Sequence, residues 1–485
     1  MNHRIILQRI ARSAMLGKGF LIDFSVPSLA SLDGLQEGKT AVSEQMRDLR
    51  ELSWCSIDND DSRDLDQLSV ATPTTPQTAK ILIAIADVDS IVNKVSPFEE
   101  HAKHNTTSVY TAALIFPMLP EKLSTDLTSL KFDADRMAVI VEFVVAADGS
   151  IQESDIYQSV VHNKAKLAYN SVGAWLDQQG AMPEAIRLVS GLDENLRLQA
   201  SMAKKMKTLR YANGALYLET IETHPVFEGD EVRDVKESKE NAAKDIIQEF
   251  MIAANSIVVR FLNSKNFPTI RRVVRVPKRW DRIVELAGEW KFRLPAQPDS
   301  KELDKFLLAV KSSDPVRFPD LSLCVIKLLG PGEYVVGLPG NDTEGHFGLA
   351  VKDYTHSTAP NRRYPDLITQ RLLKAALSGM KSPYTQDELK EIAARCTTME
   401  DGAKKVERQV EKSTAALLYE NRVGEQFDGI ITGASDKGTW VRVLYPPMEG
   451  KLVSGFEAMD VGNRIRVQLV RTDVERGFID FRKVK

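Results

Sequence analysis

The chain has 485 residues, of which 43% are hydrophobic and 27% charged, and its formal net charge is −3. That length is too great for one ordinary core and points to roughly two to four domains, while the charge excludes a globally basic nucleic-acid coat. The three cysteines, Cys55, Cys324 and Cys396, are far apart and odd in number, which argues against a disulfide framework or structural zinc and fits a reducing cytoplasm.

In chain order, "RIILQRIARSAMLGKGF" has helical spacing, with Gly19 as a stop. "VPSLASLDGL" and "TAVSEQMRDL" read as two further short helices, and such a unit could be a helix-turn-helix. No apolar h-region with a cleavage site is present, so no secretory signal is expected. From residue 50 to 160 the chain reads as strands, including "ILIAIADVDSIV" and "RMAVIVEFVVAADGSI", the second closed by a turn signal. Both apolar runs are too short to span a membrane.

Residues 160 to 260 read as helices, among them "NAAKDIIQEFMIAANSIVVRFLNS" with Asn241 as its cap. "RRVVRVPKRWDR" (Arg271 to Arg282) reads as a solvated cationic surface, as does the basic C-terminus. "DLITQRLLKAALSG" and "CTTMEDGAKKVERQVEKSTAALLYENR" are amphipathic helices. After Asn421 come five short β-rich pieces separated by glycines and by "DKG" or "ERG" turns, the pattern of a five-stranded OB barrel. Its aromatics Phe427, Trp440, Tyr445 and Phe456 alternate with cations, so they could stack bases or fill the barrel. For Phe427 the core is the better reading.

One stretch calls for chemistry. "SIDNDDSRDLDQL" places five aspartates, Asp58 to Asp66, within nine residues just ahead of an apolar strand. Like charges this close repel, and burial raises their pKa values. A solvated acidic loop is one reading. A calcium loop fails because Arg63 stands where an EF-hand needs glycine and Ser69 where it needs the closing glutamate. The third reading is a magnesium site for phosphoryl transfer. Asp64 and Asp66 share a side if the chain is extended, and Asp58 could reach the same point across a turn.

"SIDNDDSRDLDQL" with the "IAD" strand resembles the opening motif of the RNase II / RNase R (RNB) exoribonucleases. Further blocks resemble the same family in order: "TSVYTAALIFPMLPEKLSTDLTSL", "NKAKLAYNSV", "IIQEFMIAAN" and "HFGLAVKDYTHSTAPNRRYPDLITQRLL". Together they cover about residues 50 to 415, and the last 60 or so resemble the S-one type OB module that usually closes these enzymes. The resemblance implies an α+β chain with a catalytic RNB domain over 49–418 and an RNA-binding OB barrel over 419–485. Ahead of them, the helical spacing gives an N-terminal helical unit over 1–48 that could be helix-turn-helix-like, a departure from the family. The RNB domain would be a β core ringed by helices with a central RNA channel. The family usually opens with two cold-shock domains, and 48 residues are too few for one.

The implied activity is processive 3′→5′ hydrolysis of single-stranded RNA to nucleoside 5′-monophosphates by a cytoplasmic monomer, with Mg²⁺ or Mn²⁺ and without a membrane. Asp58, Asp64 and Asp66 match the metal and catalytic aspartates, and Gln67 stands where the family has a fourth. Its carbonyl can ligate but brings no charge. Arg362 matches the arginine at the scissile phosphate, with Arg363 beside it. Tyr110 matches a base-stacking aromatic, Tyr169 and Glu249 positions near the terminal nucleotide, and Glu407 is a softer match. On the residues alone, Arg362 could instead pair with Asp366, Tyr110 could be core, and Glu249 could be a surface acid. Asp87 reads as structural. The alternatives in function are an inactive RNA-binding relative, motivated by Gln67, and a regulator whose N-terminal helices bind DNA or a protein.

Overall fold

A computed structural model describes residues 2–35, 46–220, 222–341, 344–435, 438–443, 448–459 and 463–484. The chain opens with α1 (His3–Gly17) and α2 (Val26–Leu32), followed by β1 (Arg47–Asp48), β2 (Cys55–Asp58), β3 (Gln67–Thr75) and β4 (Thr78–Ala86). Then come α3 (Glu99–Asn105), the short hairpin β5 (Val109–Tyr110) and β6 (Ile115–Phe116), and the long strands β7 (Asp135–Val145) and β8 (Ile151–His162). After β9 (Ala165–Ala168) run α4 (Tyr169–Leu176), α5 (Glu184–Arg187) and α6 (Leu192–Ala212). A hairpin of β10 (Glu222–Glu228) and β11 (Glu231–Ser238) precedes α7 (Ala242–Ser264) and β12 (Thr269–Val273). α8 (Trp280–Glu289), α9 (Ser300–Ser313) and α10 (Phe318–Leu329) form a helical unit around their own apolar cluster, with Phe306 and Phe318 at its centre. β13 (Glu333–Gly337), α11 (Tyr364–Leu377) and α12 (Gln386–Tyr419) complete the main body.

Seven strands form the central sheet, in the order β1-β8-β7-β4-β3-β2-β9. The middle of β4, "ILIAIA", is buried throughout, as a strand covered on both faces must be. Its neighbours supply Val139, Ile140, Val141 and Phe143, and α7 and α11 pack Phe250, Ile257, Leu367 and Leu372 against them. Asp87 reads as expected. It is buried, accepts from Ser90 N at 3.2 Å and pairs with Lys374 at 2.9 Å, so its role is structural.

The C-terminal strands β14 (Gln426–Ser435), β15 (Gly438–Val443), β16 (Met448–Ser454), β17 (Arg464–Asp473) and β18 (Phe478–Lys483) close into a barrel in the order β14-β15-β16-β18-β17. Phe427 is buried in its core with Val441, Leu469 and Phe481. Ala416 and Tyr419 of α12 belong to that same core. One 34-residue helix therefore runs from the sheet domain into the barrel.

Three expectations need correction. Residues 222–238 are a β hairpin inside a region read as helical. Of "TAVSEQMRDL", Arg47 and Asp48 form a strand paired parallel to β8, and residues 40–45 lie outside the described residues, as does Tyr445. The basic run is only in part a solvated cationic surface: Lys278, Arg279 and Arg282 are exposed, but the arginines of its first half are spent on acids. Arg271 and Arg272 are buried and paired with Asp353 at 2.8 Å and Glu400 at 2.7 Å, and Arg275 bonds to Glu333 and Glu344.

Asn241 caps α7 as expected, accepting from Ala243 N and Lys244 N at 3.0 Å each. Gly173 of α4 leaves room for that side chain, since a Cβ there would lie 2.3 Å from Asn241 Cγ. Asn241→Ala should cost about 1 kcal/mol in denaturant unfolding. Gly173→Ala should cost more in the wild-type background than in Asn241→Ala, because the colliding side chain is then gone.

Candidate active site

Asp58 ends β2 and Asp66 directly precedes β3, and these strands are antiparallel neighbours with Cys55 opposite Ser69. The loop between them therefore leaves and re-enters the sheet at one edge. It is stapled there: Leu65 N donates to Ser129 Oγ at 3.0 Å, Leu130 N to Leu65 O at 2.9 Å and Ala86 N to Asp66 O at 2.9 Å. Leu65 is buried while the exposed Asp60 and Asp61 stay in solvent.

A second loop, residues 355–363, arrives from the far side of the chain. Asn255 Oδ1 accepts from Ser357 N and Ser357 Oγ at 2.8 Å each, and Asp366 Oδ1 accepts from Ala359 N at 2.8 Å. Held this way, the loop aims Asn361 N at Asp66 Oδ1 (2.9 Å) and Arg362 Nε at Asp66 Oδ2 (3.1 Å). Arg362 thus pairs with Asp66, and it is Arg363 that takes Asp366, at 2.7 Å. Asp66 is 2% exposed, whereas the Arg362 side chain is 41% exposed and keeps part of its donor fork open.

The third strand of the site runs through residues 106–110. Ser108 N donates to Arg362 O at 2.9 Å, and Tyr364 N to Thr106 O at 2.8 Å. Tyr110 is partly exposed, and its hydroxyl donates to Asp64. Its backbone N donates to Glu407 Oε1 of α12 at 3.1 Å. Tyr169 opens α4, immediately after Ala168, which pairs with Asp58 in register.

Burial dominates the electrostatics. It pushes the Asp58 carboxyl up to about 7, with Asp66 and Asp64 adding to the rise and Arg362 opposing it. Burial likewise raises Asp66 to about 7 against the pull of Arg362. Arg362 stays charged, because the carboxylates around it outweigh the cost of its burial. The Tyr110 and Tyr169 hydroxyls are raised by burial, then by Asp64 and Asp58 respectively.

Asp58, Asp64, Asp66, Arg362, Arg363, Tyr110, Tyr169 and Glu407 are thus brought together. Glu249 is held elsewhere. It is buried and forked to Arg210 of α6, with bonds of 2.5 and 3.0 Å. Trp440 lies on β15 of the barrel, in register with Lys451. Gln67 is buried at the start of β3, and among the described residues no hydrogen bond joins its side chain to the carboxylates.

Asn361 and Asn255 were not singled out by sequence reasoning, and Asp366 was named only as a possible partner of Arg362. Asn361 and Asp366 lie within the "TAPNRRYPDL" block that carries Arg362, and that proximity was the available signal. Asn255 closes the "IIQEFMIAAN" block, but its hydrogen bonds to the 355–363 loop are tertiary and cannot be read from the block itself.

Among the described residues, no three carboxylate, imidazole or thiol groups converge closely enough to grip a metal ion by themselves. The chemistry of the donors nonetheless suits a hard cation. Asp58 Oδ2 is buried without a hydrogen-bond partner, and its carboxylate and that of Asp66 are destabilised by burial. Magnesium is satisfied by one or two carboxylates with water and phosphate oxygens completing its shell.

A family model described as the RNB domain matches residues 46–379. The chain belongs to the RNB family. A second model, the RNase II-type exonuclease C-terminal S1 domain, matches residues 425–484, the closed barrel. Ribonuclease R 1 of Lactococcus lactis is 26% identical over 457 residues, covering 88% of this chain and 55% of that protein. The chain spans about half the length of the curated relatives it matches. In fold, this RNB protein is similar to Mycoplasma genitalium RNase R solved with ribose-methylated single-stranded RNA. The TM-score is 0.88 at 22% identity, over 99% of this chain and 78% of that one. It is also similar to yeast Ssd1, described as a pseudonuclease, with a TM-score of 0.73 at 16% identity, over 92% of this chain and 55% of that one.

A carboxyl raised in the folded chain keeps a proton that the unfolded chain has released. Its share of stability is therefore full below roughly pH 4 and is lost as pH climbs through about 7. In EDTA, Asp58→Asn should stabilise the protein by about 2 kcal/mol at pH 8 and by much less at pH 5. Mg²⁺ should raise the wild-type melting temperature more at pH 8 than at pH 5, and should do little for Asp58→Asn.

Proposed function

We propose that this chain is a hydrolytic 3′→5′ exoribonuclease acting on single-stranded RNA and releasing nucleoside 5′-monophosphates. The observation that carries the reading is the joining of Asp66 to Asn361 N and Arg362 beside Asp58 and Asp64. The family match and the relatives named Ribonuclease R support it.

Asp58, Asp64 and Asp66 would hold Mg²⁺ or Mn²⁺, which when bound activates water and offsets charge on the phosphoryl oxygens. Asp66, fixed by Asn361 N and Arg362, would position the attacking water and the metal. Arg362 offers its exposed guanidinium N–H groups to the phosphate in a geometry that stays fixed because Asp66 already orients the fork. Tyr110 presents a ring for a base near the 3′ end, and Glu407 and Asp64 hold that residue at its backbone and hydroxyl. Tyr169 stands on the Asp58 side of the same site. Trp440 and the exposed Lys451 paired with it in register would supply a stacking and phosphate-tracking surface on the barrel. Glu249, forked to Arg210, would reach a nucleotide only by giving up that pair.

Gln67 motivates the second reading, an RNB-fold RNA-binding protein of weak or no catalytic activity, and the fold alone accommodates a pseudonuclease. A 5′-labelled oligoribonucleotide with Mg²⁺, resolved at single-nucleotide steps, separates the two. Asp66→Asn should abolish cleavage while RNA binding persists, since the change removes transition-state stabilisation and leaves the other contacts. Cleavage surviving in that variant would overturn the assignment. Gln67→Asp should lower the Mg²⁺ concentration needed for half-maximal activity. An unchanged requirement would exclude position 67 as a ligand.

A further inference from the structure

The N-terminal helix spends its apolar face inside the molecule. Leu7, Ala11 and Met15 of α1, each fully buried, share one core with Val109 and Phe116 of the β5–β6 hairpin. Met399, Ala403, Val406 and Val410 of α12 close that core from the other side. Polar bonds fix the seat. Gln8 Nε2 donates to Ala113 O in the hairpin turn at 3.4 Å, and Arg4 pairs with Asp230 of the β10–β11 turn at 3.2 Å. Arg9 pairs with Glu475 of the barrel, with one bond at 3.1 Å. Past the helix, Leu21 and Asn105 exchange two hydrogen bonds of 2.9 and 2.8 Å.

Besides the bonds of Tyr110 to Asp64 and Glu407 and the anchoring of residues 106–108 to the 355–363 loop, the hairpin has only a short ladder of its own. It consists of two paired residues per strand, Val109 with Phe116 and Tyr110 with Ile115. An isolated ribbon of that length is not stable by itself. Its order comes from the core beneath it, and one wall of that core is α1. Tyr110 stands directly beside the buried Val109, with its hydroxyl on Asp64 and its N–H on Glu407.

We infer that α1 is a brace for the hairpin that carries Tyr110, and that its seating controls how tightly the 3′-terminal bases of a bound RNA are held. Leu7, Gln8 and Met15 are then positioning residues, acting through Tyr110 without touching RNA. The consequence for RNA rests on the function proposed above, whereas the bracing does not.

Two measurements on the full chain test this. The first is amide hydrogen exchange, which needs no RNA. Leu7→Ala should speed exchange at residues 109–116 by about tenfold or more while the amides of β4 keep their protection. Gln8→Ala, which opens no core cavity, should do the same to a smaller degree. Arg9→Ala, an exposed pair with the barrel, should leave the hairpin protected. Unchanged exchange in the hairpin, or β4 loosening in step with it, would overturn the brace. The second is binding of a short 5′-fluorescein oligoribonucleotide in EDTA. Leu7→Ala should weaken it about three- to tenfold, and should add nothing in a Tyr110→Ala background. Effects that multiply would show that α1 does not act through Tyr110. If the wild-type chain binds no RNA, the proposed function fails, and the exchange experiment still decides the brace.

Discussion

Asp66 is a carboxylate almost without solvent, and a buried charge costs several kcal/mol unless it is paired and hydrogen-bonded. Its two oxygens are met by one guanidinium and one backbone N–H, both from residues nearly 300 positions away. That requirement organises the molecule around it. The loop supplying both groups must stop at a defined distance from the sheet edge, so its backbone is tied to Asn255 and Asp366. Arg363 neutralises Asp366 in turn. The same loop then anchors residues 106–108, which lead to Tyr110. Removing either partner of the Asp66–Arg362 pair would leave the other without its counter-charge and loosen the meeting point of three chain segments.

The site keeps some of this tension. Among the described residues Asp58 Oδ2 meets no hydrogen-bond partner, and burial leaves both Asp58 and Asp66 reluctant to ionise. A fully satisfied cluster would be more stable and chemically idle. Carboxylates left short of partners by burial are the groups that the proposed hydrolysis would use to hold a cation.

Helix α12 carries the organisation outward. It touches the sheet core through Leu389 and Cys396, the α1 core through Met399 and Val410, and the barrel through Ala416 and Tyr419. Glu407, which holds the Tyr110 backbone, lies midway along it. The buried fork between Arg442 and Asp320, with bonds of 2.9 and 3.0 Å, ties the barrel to α10 as well. The barrel is thus seated on the body at several points, through the same helix that holds the Tyr110 backbone.

Much of this was legible from residue order. The crowded aspartates, the Asn241 cap, the amphipathic helices and the five β pieces of the barrel are local patterns, and local sterics and hydrogen bonding specify such patterns within a few residues. The hairpin at 222–238 was missed because its charged residues outnumber its apolar ones, although Gly229 and Asp230 mark its turn. The run from Arg271 was misread because the acids that neutralise it, Asp353 and Glu400, lie far along the chain. Sequence by itself determined which residues could do the chemistry, since carboxylate, guanidinium and phenol are fixed by residue type and their order by the motif. Only the tertiary structure decided that Arg362 takes Asp66 and Arg363 takes Asp366, that Glu249 is spent on Arg210, and that two aspartates are raised to about 7. Pairing and desolvation depend on distance and solvent access, and those exist only once segments hundreds of residues apart have packed together.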